Sequence, residues 1–85
     1  MYHVYVIQSK KDGKLYIGLT NDLRRRLLEH NQGLNTSTKY RTPFRLIYFE
    51  TYASAKDARV REKKLKGFKN SYVELKKRIV NSLKI

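Results

Sequence analysis

Two short runs rich in β-branched and aromatic residues, Tyr2–Gln8 and Leu15–Thr20, flank a polar turn through Asp12-Gly13 and commit the start of this chain to a β-hairpin. With that turn central, alternation puts Val4 and Val6 on one face with Leu15, Ile17 and Leu19, and puts Tyr5 on the other with Tyr16 and Gly18. One face is expected to be core and the other to present phenols. A chain of 85 residues buries only roughly two-thirds of its unfolded surface, so the remainder must complete one core around the hairpin as a single domain.

Beyond the hairpin the order is helix, strand, helix, helix, which makes the chain α+β. Asn21 or Asp22 caps a helix running to about Asn31, with Gly33 as terminator and Leu23, Leu27 and Leu28 as its apolar stripe. Arg26 and His30 lie beside Leu23 on the edge of that stripe, facing the body. Leu34–Thr42 is a polar loop ending at the single proline, Pro43, and Phe44–Tyr52 is a third strand. Its unbroken Leu46-Ile47-Tyr48-Phe49 run predicts a central or well-covered position. Ser54 with Asp57 starts a second helix that Gly67 ends, and Ser71 with Glu74 starts a closing helix with Tyr72, Leu75, Ile79 and Leu83 on its apolar face.

Charge narrows the partner. Lys and Arg number 20 against 7 acidic residues, a formal net charge of +13, and the cations run from Lys10 to Lys84, so the folded body itself is cationic. Such a field attracts polyanions, nucleic acid ahead of an anionic membrane. No apolar stretch approaches the roughly 18 residues that suggest a membrane span, and the start Met1-Tyr2-His3 lacks a basic leader. The chain has no cysteine, which excludes disulfides and thiolate metal sites. With nothing arguing for export, a cytoplasmic address is expected.

Few residues could carry chemistry. Glu62 shares a helical stripe with Ala55, Ala58 and Leu65, where a carboxylate must be paired with a cation or bind a metal. Mg²⁺ suits one carboxylate, because water and substrate phosphate complete its shell. Tyr5 and Tyr16 are either half-buried sheet aromatics or phenols that orient water, a task eased by a neighbouring cation. Gly18 would leave room above the sheet for a phosphate. Arg26 offers a planar fork to phosphate oxygens, or bridges Glu29; His30 relays a proton, binds phosphate or is a hydrogen-bonded structural histidine. Lys39, Tyr40 and Arg41 mix cations with an aromatic as nucleic-acid backbone binders do, and as solvated loops also do. Nucleophile triads, glycine-rich phosphate loops and zinc sites find no support.

The spacing of Tyr5, Tyr16-Ile17-Gly18, Arg26, His30 and Glu62 resembles the GIY-YIG nuclease superfamily, most of all its small stand-alone bacterial members. The likeness extends to Thr20-Asn21-Asp22-Leu23 at the helix start, Pro43-Phe44 at the third strand, and Ala58 with Glu62. It implies a small three-stranded antiparallel sheet flanked by about three helices (β-β-α-β-α-α) that cuts nucleic acid, DNA ahead of RNA, with Mg²⁺ or Mn²⁺. Carried over by position, Tyr5 ends the first motif and Tyr16 opens the second. Arg26 matches the catalytic arginine, His30 the histidine one turn beyond, and Glu62 the metal-binding glutamate. The implied mechanism is one-metal hydrolysis with Tyr5 or Tyr16 steering water. His3-Val4-Tyr5 stands where Gly-Ile-Tyr is expected, so a side chain replaces a glycine near the site. The superfamily includes homing, restriction and DNA-repair enzymes. Homing and repair members generally attach a DNA-recognition domain, so a protein partner or a branched substrate would have to supply target choice here. The alternative is a nucleic-acid-binding module of the same fold that does not cut; an RNA-processing role is a third.

Overall fold

The computed structural model describes residues 1–84. Its elements are β1 (Tyr2–Ser9), β2 (Leu15–Thr20), α1 (Leu23–Asn31), β3 (Phe44–Tyr52), α2 (Ala55–Gly67), α3 (Lys69–Arg78) and α4 (Val80–Leu83). The strands form one antiparallel sheet in the order β2-β1-β3. The hairpin register opposes Tyr5 to Gly18, Val6 to Ile17 and Ile7 to Tyr16, so the expected division of side chains between the faces is present. Gly13 turns the chain at φ 73°, and the buried Ser9 hydroxyl accepts from the N–H groups of Lys11 and Asp12 while donating to Arg41 O.

β1, not β3, occupies the centre. Val4, Tyr5, Val6 and Ile7 are each at most 2 % exposed, whereas β3 is an edge strand carrying Arg45, Glu50 and an exposed Phe49. The continuous apolar run in β3 has a local cause. Val6 pairs with Tyr48 and Ile7 with Leu46, which leaves Ile47 as the extra residue of a β-bulge. Ile47 and Tyr48 both pack on the Val4–Val6 side while Leu46 packs on the other.

Both faces of the sheet are covered, against the expectation of one core face and one open face. Val4, Val6 and Ile17 meet Ala58, Leu65, Leu75 and Ile79 from α2 and the closing helices. On the reverse, Tyr5, Ile7 and Phe44 meet Tyr16, Leu23, Leu27 and Leu46. Leu28, assigned to the apolar stripe of α1, is instead 56 % exposed.

The helix ends obey local chemistry. The Asp22 carboxylate accepts from Arg25 N at 3.0 Å. At the other end Gly33, φ 75°, allows the bonds Gly33 N–H to His30 O and Leu34 N–H to Glu29 O that close a Schellman motif. Ser54 caps α2. Ser71 does not cap α3, which begins at Lys69 after Phe68 without a side-chain cap. The closing segment is also two helices, because the backbone leaves the α region at Ile79 (φ −109°, ψ 26°), where two β-branched residues, Ile79 and Val80, are adjacent. Among the described residues, four helices therefore flank the sheet.

Candidate active site

Adjacent strands place Tyr5 and Tyr16 on one face, and the last turn of α1 lowers the fully buried His30 onto them. Ring centroids lie 5.9 Å apart for Tyr5–His30 and 5.1 Å for Tyr16–His30, and Phe44 closes the other side at 6.0 Å. Tyr5 Oη lies 2.8 Å from His30 Nε2, and His30 Nδ1 lies 2.7 Å from Oγ1 of Thr38, itself fully buried. Burial, and then the Arg26 charge, hold His30 down to about 4, with Glu29 opposing, so the imidazole is neutral at pH 7.

Arg26, one turn before His30, bridges Glu29 at 3.1 Å. Its guanidinium also acts on Tyr5: burial raises the Tyr5 pKa, Arg26 opposes this, and the charges of Tyr16 and Glu62 add to the rise. A cation beside the phenol turns the oxygen toward itself and the hydroxyl proton away. With Tyr5 donating to His30 Nε2, the neutral ring keeps its proton on Nδ1 and donates it to Thr38.

Glu62 reaches the same group of side chains from α2. It is not a desolvated core carboxylate: its side chain is 22 % exposed and its Oε2 lies 3.1 Å from Lys66 Nζ, one turn on. Lys66 in turn lies over the Tyr16 ring, 5.6 Å from the centroid. Of the two expectations for Glu62, the pairing with a cation is present, and the carboxylate also lies within electrostatic reach of Tyr5. Among the described residues no three His, Cys, Asp or Glu side chains cluster as a metal cage. The donor chemistry fits Mg²⁺ or Mn²⁺ only where water and phosphate oxygens complete the shell of the single carboxylate and Lys66 yields its place on Oε2.

Two expectations change. Gly18 leaves no room for a phosphate, because a Cβ there would overlap Tyr5 Cζ and Oη; the glycine accommodates the phenol. Arg41 is held by Asp12 at 2.9 Å and covers Phe44, 5.4 Å from its centroid, fixing the loop to the hairpin turn instead of standing free. Lys39 and Tyr40 are exposed, with Lys39 over the Tyr40 ring. His3, the side chain in place of glycine, leans toward β3, where Nδ1 meets Thr51 Oγ1 at 2.9 Å and the ring meets the edge of Phe49. Sequence reasoning missed Thr38 and Lys66. Nothing separates Thr38 from its neighbours Thr36 and Ser37, but the position of Lys66 four residues after Glu62 was a readable helical pairing signal.

The family model described as the GIY-YIG catalytic domain matches residues 1–78. A UPF0213 protein of Halobacterium salinarum is 40% identical over 75 residues, covering 87% of this chain and 96% of its own. One of Bacillus pumilus is 36% identical over 77 residues, covering 85% and 79%. The solution NMR structure of a UPF0213 protein from Bacillus halodurans matches with a TM-score of 0.53 at 34% identity, covering 89% of this chain and 86% of that one. With the sheet order, the paired tyrosines and the arginine and histidine one turn apart already in place, a match spanning all three strands and α1 to α3 carries the conclusion: the chain belongs to the GIY-YIG family.

Proposed function

We propose that the protein is a divalent-metal-dependent endonuclease acting on DNA. The observation that carries this reading is the relay Tyr5–His30–Thr38, set beside Arg26 and within reach of the Glu62 charge. Of the two phenols, Tyr5 is the one with a base on its hydroxyl. Its hydroxyl oxygen orients the attacking water while its own proton points at His30 Nε2, and Thr38 keeps the neutral imidazole in register. Arg26 meets the charge that builds on the phosphoryl oxygens, and Tyr16 shapes the wall nearest Lys66. Mg²⁺ or Mn²⁺ would be held by Glu62 and, when bound, would supply Lewis-acid charge at the phosphate.

The pairing of Glu62 with Lys66 favours a second reading, a nucleic-acid-binding module whose carboxylate is permanently neutralised by its neighbour. Incubation with supercoiled plasmid, branched DNA and structured RNA in Mg²⁺, Mn²⁺ or chelator separates the two. Metal-dependent cutting that disappears in Glu62→Ala and Arg26→Ala supports the nuclease. Unchanged cutting by Glu62→Ala, or salt-sensitive binding without cutting, overturns it.

A further inference from the structure

A groove leaves the site along the free edge of β2. Its first section, about 510 Å³, begins at Tyr16 and Lys66 and runs past Gly67 to Phe68 and Tyr72. A second section, about 340 Å³, shares Phe68 and Lys69 with the first and continues to Lys64 and the first turn of α3. Each section falls within the roughly 300–1,000 Å³ of small-molecule sites.

The lining has one consistent chemistry. Phe68 is 60 % exposed where α2 meets α3, although a ring of that size is normally buried. Lys64, Lys66 and Lys69 stand around it, and no carboxylate lines either section among the described residues. The first turn of α3 has neither an acidic residue nor a side-chain cap, so its free N–H groups add a positive end to the same wall. A flat exposed ring bordered by cations is the combination that takes an unpaired nucleotide, base on the ring and phosphates on the ammonium groups. Duplex bases, stacked on each other, cannot use the ring.

We propose that this groove seats an unpaired nucleic-acid strand next to the scissile phosphate, with a base stacked on Phe68 and the backbone tracked by Lys64, Lys66 and Lys69. The location rests on the nuclease reading, but the binding chemistry does not. The strand enters the site past Tyr16, the residue common to the groove and the His30 cluster.

The test is binding in chelator, where hydrolysis plays no part, using short single-stranded DNA and RNA oligonucleotides carrying 2-aminopurine, with a matched duplex as competitor. Wild-type protein should quench the probe. Phe68→Ala should bind at least about tenfold more weakly and lose the quench, since base–ring stacking is a large part of such affinities; Phe68→Trp should restore both. Gly67→Leu supplies an independent check, because a Cβ at Gly67 meets nothing within 4 Å and the added side chain fills the groove. It should weaken binding as Phe68→Ala does. Equal affinity of wild-type and Phe68→Ala protein, or duplex competing as well as single strand, overturns the proposal. Quenched binding without metal-dependent cutting would sink the nuclease reading and leave the groove standing; cutting with an indifferent Phe68 would do the reverse.

Discussion

A methyl group added at Gly18 would collide with the phenol of Tyr5, which makes that glycine a structural determinant of the relay. Gly18→Ala should lower stability on the order of 1–3 kcal/mol, measured by urea unfolding, and should abolish cutting in parallel by displacing Tyr5 from His30. His30 sets a pH limit. In the folded protein it resists protonation down to about 4, against 6.5 for the free side chain, so acid favours the unfolded chain. The contribution of His30 to stability should decline as pH falls from 6.5 toward 4, and His30→Gln should remove that part of the slope in urea titrations. Sequence patterning put Tyr5, Tyr16 and Gly18 on one face but could not show that the space over the glycine belonged to a neighbouring strand's side chain. A missing Cβ reads the same whether it admits a ligand or a ring.

Between elements, Glu50 of β3 accepts from Arg61 of α2 through Nε and Nη2 at 2.9 Å each, and within β3 it also accepts from the Tyr48 and Tyr52 hydroxyls at 2.6 Å. Burial works to raise its pKa, but Arg61 and the two phenols outweigh it and hold the carboxyl down to about 2. Stability from this tie is present above 4.5 and lost as pH falls toward 2; a Glu50→Gln variant should lack that loss in acid titration. Because Arg61 precedes Glu62, the same tie sets how α2 rides over the sheet. Removing the apolar support beneath the closing helices is a separate test, with Leu75→Ala, 2 % exposed in the wild type, expected to cost about 2–5 kcal/mol by thermal or urea unfolding. Element types and most boundaries could be read from caps and periodicity, as Asp22, Gly33 and Ser54 show. The bulge at Ile47 could not, because it answers pairing with β1, distant in sequence; the break at Ile79 left only the adjacency of Ile79 and Val80 as a signal.

At the scale of the whole molecule, a net charge of +13 makes any nucleic-acid affinity a function of salt. If roughly four phosphates are neutralised, affinity should fall on the order of a hundredfold between about 50 and 200 mM salt, a slope measurable by anisotropy with Glu62→Ala protein in chelator. No helix among the described residues is long and apolar enough to cross a membrane. The basic composition was visible at once, whereas the second core beneath α1 was not. Its members Tyr5, Ile7 and Phe44 look in sequence like the exposed half of an alternating strand until Leu23 and Leu27 are folded over them. The placement of β1 between β2 and β3 has a consequence for biosynthesis. The ribosome delivers this strand before either neighbour, and one flank of its main chain must wait, unmatched, until residues as far as Tyr52 have emerged. A nascent chain stalled within the loop before Phe44 would expose that flank to other polypeptides.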